Sequence, residues 1–263
     1  MSDRQDFAVP PDVGSQDLPE PAPTDARAPQ IGTDPAAPDA PAPGRIPGPG
    51  AFLPTTVGPP DLAAIGELID RSPLWTDAEL RASLDASLAD WDGTSDVWVF
   101  AYGSLIWKPE FAHVEARRAR VHGLHRRLCL WSTINRGTCR QPGLVLGLDA
   151  GGSCDGVVFR IAAHQVREAF MRLWRREMVR GSYLPALLRS RTEAGAVNAV
   201  GFAINRDLPC YAGRLSDAQI ADVLRRAHGQ CGSSRDYVLH TVAALRCHGI
   251  RDSGLERVAR LLG

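Results

Sequence analysis

The chain has 263 residues with 30 basic and 30 acidic side chains, a balance that excludes a general attraction to nucleic acid or acidic lipid. Its 44% apolar content is ordinary for a globular protein, and no apolar run is long enough to span a bilayer. Residues 1–6 lack the basic-then-apolar layout of a secretory leader, so a cytoplasmic protein is expected. Residues 1–60 hold 15 of the 20 prolines and five more acidic than basic side chains. Such a stretch buries too little apolar surface to offset the entropy of ordering, so it is predicted to be a disordered Pro/Ala-rich tail. Residues 61–263 are long enough for one domain with a sizeable core.

Residues 61–90 read as helical. Leu62, Ile65 and Ile69 fall at helical spacing, and Thr76 with Glu79 forms a capping box that opens a second helix. The run 97–107 then begins as a buried strand of apolar and β-branched residues. It ends on Tyr102-Gly103-Ser104, where Gly103 lets another molecule approach the main chain. Successive N–H groups in such a turn converge on an anion, so this turn is read as the holder of a small carboxylated substrate. Short β-like runs follow at 117–121, 128–132, 144–148, 156–161 and 199–204, with a polar loop at 135–143. Strands this close, without intervening helices, favour a mostly antiparallel sheet or small barrel in an α+β fold. Helices are predicted over 163–178, 234–248 (ended by Gly249) and 253–262.

The helix 163–178 carries a carboxylate on its apolar side. At about 100° per residue, Val166, Phe170, Leu173 and Trp174 form one stripe, and Glu177 lies on it. Glu168 faces the other way. A carboxyl on the buried side of a helix is costly unless paired, and burial raises its pKa toward neutrality, where an acid/base catalyst works best. Taken alone, these residues leave two roles open for Glu177: a proton carrier, or one half of a structural ion pair with Arg175, Arg176 or Arg180.

Four segments together resemble the ChaC family, the glutathione-specific γ-glutamylcyclotransferases. They are residues 100–109 (FAYGSLIWKP), Arg136-Gly137-Thr138 with Pro142-Gly143, Arg176-Glu177 with Gly181-Ser182-Tyr183, and a C-terminal block. That last block contains Tyr237-Val238, Thr241, Leu245 and Gly249-Ile250-Arg251-Asp252. The likeness spans roughly residues 75–262. Ala101, Asn135 and Ser182 depart from residues usual at those positions.

The resemblance implies a γ-glutamylcyclotransferase-like barrel flanked by helices, and conversion of glutathione to 5-oxoproline and cysteinylglycine. It implies Glu177 as acid/base, and the main chain of Ala101, Tyr102, Gly103, Ser104, Leu105 and Ile106 as the seat of the γ-glutamyl head. Tyr183 and Tyr237 are implied as hydroxyl donors, and Arg136 as a partner for a substrate carboxylate. No cofactor, metal, nucleic acid or membrane is expected, and the protein is expected to be a monomer. Two alternatives remain: a cyclotransferase for another γ-glutamyl amino acid or amine, and a non-catalytic γ-glutamyl-binding module.

Other signals carry less. His122 and His125 have no acidic or Cys ligands at metal spacing. Among the six cysteines, none forms a C-x-x-C pair, and Cys139 has no evident base as partner. The arginines at 117–120 and 126–127 lack the interleaved aromatics of an RNA-binding surface and read as a solvated strand face.

Overall fold

A computed structural model describes residues 60–263. The tail expected over residues 1–60 lies outside them, apart from Pro60. Asp61 caps the first helix, α1 (Leu62–Asp70), by accepting from the Ala64 N–H. Thr76 and Glu79 make the predicted capping box at the start of α2 (Asp77–Ser87).

Five strands then close a barrel. They are β1 (Val97–Ala101), β2 (Glu115–Ser132), β3 (Gly143–Ile161), β4 (Tyr183–Thr192) and β5 (Gly195–Ile204), ordered β1-β3-β2-β4-β5. Neighbours in that order are antiparallel. The barrel closes through parallel contacts of β5 with β1 and β3. The small barrel flanked by helices is thus as expected, with a mixed closure.

The four short runs expected between 117 and 161 are in fact two long strands. Their polar centres read as turns because charged residues break the apolar pattern. Across the ladder those charges find partners: Arg120 Nε donates to Asp155 at 2.8 Å, and Arg127 Nη1 to the buried Asp149 at 3.0 Å. Extra residues are absorbed as a bulge. Gly123 (φ +82°) lies opposite Gly151 (φ +99°) and Gly152 (φ +69°), where pairing steps from His122–Ser153 to Leu124–Ala150.

Helix α3 (Val166–Glu177) follows a 3-10 turn at Ala163–Gln165. Its stripe of Val166, Phe170, Leu173 and Trp174 is buried as predicted. Trp174 stacks on Phe170 at 5.7 Å and meets Phe202 of β5 edge-on at 5.3 Å. Its indole N–H donates to Ser83 of α2 at 3.2 Å, so the end of α3 is held from two sides.

Two of the longer elements escaped the sequence reading. β4 carries Pro185, Arg189 and Arg191, which interrupt its apolar run. α4 (Asp217–Arg226) had a readable signal, a capping box of Ser216 and Gln219 ahead of buried Ile220, Ala221, Val223 and Leu224. A two-stranded ribbon, β6 (His228–Gly229) and β7 (Gly232–Ser233), leads into α5 (Ser234–Cys247). Gly249, at φ +67°, then turns the chain into α6 (Ser253–Leu261). No helix among the described residues is long and apolar enough to cross a membrane.

Candidate active site

The end of β1 runs directly into the predicted turn. Ile106 N–H donates to the Gly103 carbonyl at 3.0 Å, and Lys108 N–H to the Ser104 carbonyl at 2.8 Å, winding a 3-10 turn over Ser104–Ile106. The N–H groups of Gly103, Ser104 and Leu105 head that turn and have no acceptor within it. A Cβ on Gly103 would sit 3.1 Å from the Tyr237 hydroxyl, so glycine keeps the space between turn and tyrosine. From behind, the Tyr102 carbonyl accepts from Nε of the buried Arg126, which also pairs with Asp252 at 2.7 Å.

Beside this turn lies a cleft of about 320 Å³, lined by Ser104, Arg136, Glu177, Tyr183 and Tyr237 among others. That is within the usual range for a small-molecule site. The structure therefore brings together five of the residues singled out in sequence. Ala101, Tyr102, Leu105 and Ile106 bury their side chains in the core, and Tyr102 spends its hydroxyl on the Phe202 carbonyl at 2.8 Å. Neither Gly103 nor these four are among the residues that line the cleft.

Glu177 is the last residue of α3, with its side chain 15% exposed. Burial pushes its carboxyl above the ordinary carboxylate range; Arg176 opposes this, and Glu110 adds to it. Its place at a helix C-terminus also disfavours a negative charge. Its ion-pair partner is Arg176, whose Nε is 3.2 Å from the carboxyl. The same guanidinium donates to the Ser104 hydroxyl at 2.9 Å and to the Lys108 carbonyl at 2.6 Å. Arg176 thus joins the carboxylate to the Ser104 turn, and of the three arginines considered as an ion-pair partner for Glu177 it is Arg176 that pairs with it. Sequence reasoning offered Arg176 only as a neighbour. Its position in the last turn of α3, one residue from the carboxylate, was the available signal.

The two tyrosines grip a single residue of β3. Tyr183 donates to the Leu146 carbonyl at 2.9 Å, and the Leu146 N–H donates to the Tyr237 hydroxyl at 3.1 Å. Burial raises both phenols above their ordinary range, so both stay protonated at neutral pH. Tyr237 accepts in that contact, so its own proton is not spent there. We expect Tyr237→Phe to cost about 1–3 kcal/mol of stability, because a buried N–H would lose its acceptor. Urea unfolding of the variant measures it.

Arg136 projects from the loop between β2 and β3. Its guanidinium lies 5.4 Å from the ring centre of Tyr237 and 5.9 Å from that of Trp107, and donates to the Cys231 carbonyl. This fixes a cation at the cleft. Cys139, in the same loop, has its thiol pushed up by burial and by Asp70, which keeps it a poor nucleophile.

Comparison with known proteins points to one family. The family profile of ChaC-like proteins matches residues 97–262. A relative from Escherichia coli (strain K12), the glutathione-specific γ-glutamylcyclotransferase, is 35% identical over 188 residues, covering 71% of this chain and 81% of its own. The glutathione-specific γ-glutamylcyclotransferase 1 of Danio rerio is 31% identical over 170 residues, covering 62% and 87%. Among solved structures, a γ-glutamylcyclotransferase specific to glutathione from yeast superimposes with a TM-score of 0.58 at 22% identity, over 64% of this chain and 96% of its own. That likeness speaks for the barrel fold. With the profile covering most of the chain and the bacterial relative aligned over most of its own length, this protein belongs to the ChaC-like family.

Proposed function

We propose that the protein is a γ-glutamylcyclotransferase that cleaves glutathione to 5-oxoproline and cysteinylglycine. The observation that carries this reading is Glu177 and the Ser104 turn facing one cleft, joined through Arg176 at 3.2 and 2.9 Å. The reaction needs no protein nucleophile, since the substrate's own α-amine attacks its γ-carbonyl. The site must fold the glutamyl arm so that the two meet, which is a proximity effect.

In this reading the glutamyl head rests on the main chain of residues 101–106. Its amine faces Glu177, which takes a proton as the new C–N bond closes the five-membered ring. The γ-carbonyl oxygen gains charge as it becomes tetrahedral. The free N–H groups at the head of the turn and the Tyr237 hydroxyl are the donors at hand to stabilise it. Glu177 then returns its proton to the departing cysteinyl nitrogen as the old amide bond breaks. A carboxyl with a raised pKa suits both transfers. Arg136, which also lines the cleft, is the cation read as the partner of the glycyl carboxylate.

The test is to incubate the protein with glutathione, γ-glutamylalanine and γ-glutamyl-lysine and to measure 5-oxoproline from each. Glutathione is expected to be the strongly preferred substrate. A different preferred compound would move the substrate assignment, and release from none would leave only a binding role.

A further inference from the structure

A second carboxylate stands at the cleft and has no part in the reaction described above. Glu110 lines the same cleft as Glu177. It accepts from Arg176 Nη1 at 2.8 Å and pairs with Lys108, the single lysine of the chain, at 2.9 Å. It is also the only non-glycine residue with positive φ among the described residues, at +58°. A left-handed backbone is unfavourable for a side chain of this kind, and such conformations gather at functional sites.

The arrangement around Arg176 is asymmetric. One edge of its guanidinium is taken by Glu110 and the Lys108 carbonyl, and Nη2 by the Ser104 hydroxyl. Glu177 meets the guanidinium at Nε, 3.2 Å from its carboxyl. A forked, two-bond grip on Glu177 would hold that carboxyl as a fixed anion. We propose that Glu110 is a positioning residue of the active site, one whose negative charge shares the Arg176 guanidinium with Glu177. The inference rests on Glu177 being the proton carrier.

The charge balance points the same way. Glu177 has Arg176 beside it on α3, Glu110 from the segment after the 3-10 turn, and the phenols of Tyr102, Tyr183 and Tyr237 from the turn after β1, from β4 and from α5, with Lys108 in the same cleft. Arg175, Arg180 and Arg136 complete the charged lining of the cleft. Glu110 adds an anion to this set and shares the nearest cation, and both effects favour the protonated form of Glu177.

Glu110→Gln tests this, because the amide oxygen still accepts from Arg176 and only the charge is lost. The carboxyl carbon of Glu177 is followed by ¹³C NMR across pH in protein labelled at glutamate, and assigned by its loss in Glu177→Gln. In Glu110→Gln its midpoint is expected at lower pH than in the wild type, and the acid limb of kcat/KM is expected to move down with it. A midpoint that stays in place or rises overturns the proposal. The NMR titration requires no turnover, so it is read independently of whether the wild type releases 5-oxoproline.

Discussion

Replacing Glu177 with Gln is expected to reduce 5-oxoproline release from glutathione by about 10²–10⁴-fold, the usual contribution of one acid/base group. Glutamine preserves size and still accepts from Arg176, so the cleft keeps its shape and only the proton carrier is lost. The same substitution has a stability signature with a definite sign. The folded-state pKa of Glu177 is raised, so the native protein resists its ionisation. The stability this group contributes is present in its protonated form at acid pH, and falls as pH rises through the raised folded value. Glu177→Gln is therefore expected to melt above the wild type at neutral pH, and the difference should shrink toward zero as pH falls below the ordinary carboxyl range. A variant that loses activity and melts higher identifies a group held for chemistry at the expense of stability. Wild-type release rates from the purified variant would remove Glu177 from the reaction.

Gly143→Ala is expected to cause a large loss of stability. A Cβ there would fall 2.1 Å from the Arg136 carbonyl oxygen and 2.2 Å from the Ser234 hydroxyl. Neither can move cheaply. The Ser234 hydroxyl accepts from the Leu144 N–H at 3.2 Å and donates to that same Arg136 carbonyl at 2.8 Å. It thereby ties the start of β3 and the Arg136 loop to the first residue of α5. The methyl would have to displace this link. Overpacking of this kind costs about 1–3 kcal/mol, and two rigid neighbours place the change at the upper end. For a domain of this size that corresponds to about 2–4 °C of melting temperature per kcal/mol. Because Arg136 moves with its carbonyl, KM for glutathione should rise as well. A variant with unchanged melting and unchanged KM would show that the loop tolerates what its packing forbids.

Particular residues explain why some of this was readable in the chain and some was not. The helix that ends at Glu177 was legible because its apolar residues recur at the helical period, which alone decides which side faces the core. Thr76 and Glu79 were legible because a capping box is a contact between residues three apart. The Tyr102-Gly103-Ser104 turn was legible for the same reason: its geometry is local. By contrast, β2 and β3 looked like four strands, because charges at their centres, Arg120 and Arg127 among them, find carboxylate partners only across the ladder, in Asp155 and Asp149. Resemblance to a family named Glu177, the turn and the tyrosines, but it did not say what holds them.

The sequence by itself determined the local periods, the caps, the glycine turn and the helix side on which Glu177 falls, since each depends on neighbours within a few positions. Which of the many arginines meets Glu177, which buried one braces the Tyr102 carbonyl, and where a second carboxylate stands were decided by the tertiary structure alone. Arginines are chemically alike along a chain. Only the closing of the barrel brings Lys108, Glu110 and Ser104 against the end of a helix some seventy residues later, and so selects Arg176 from the rest.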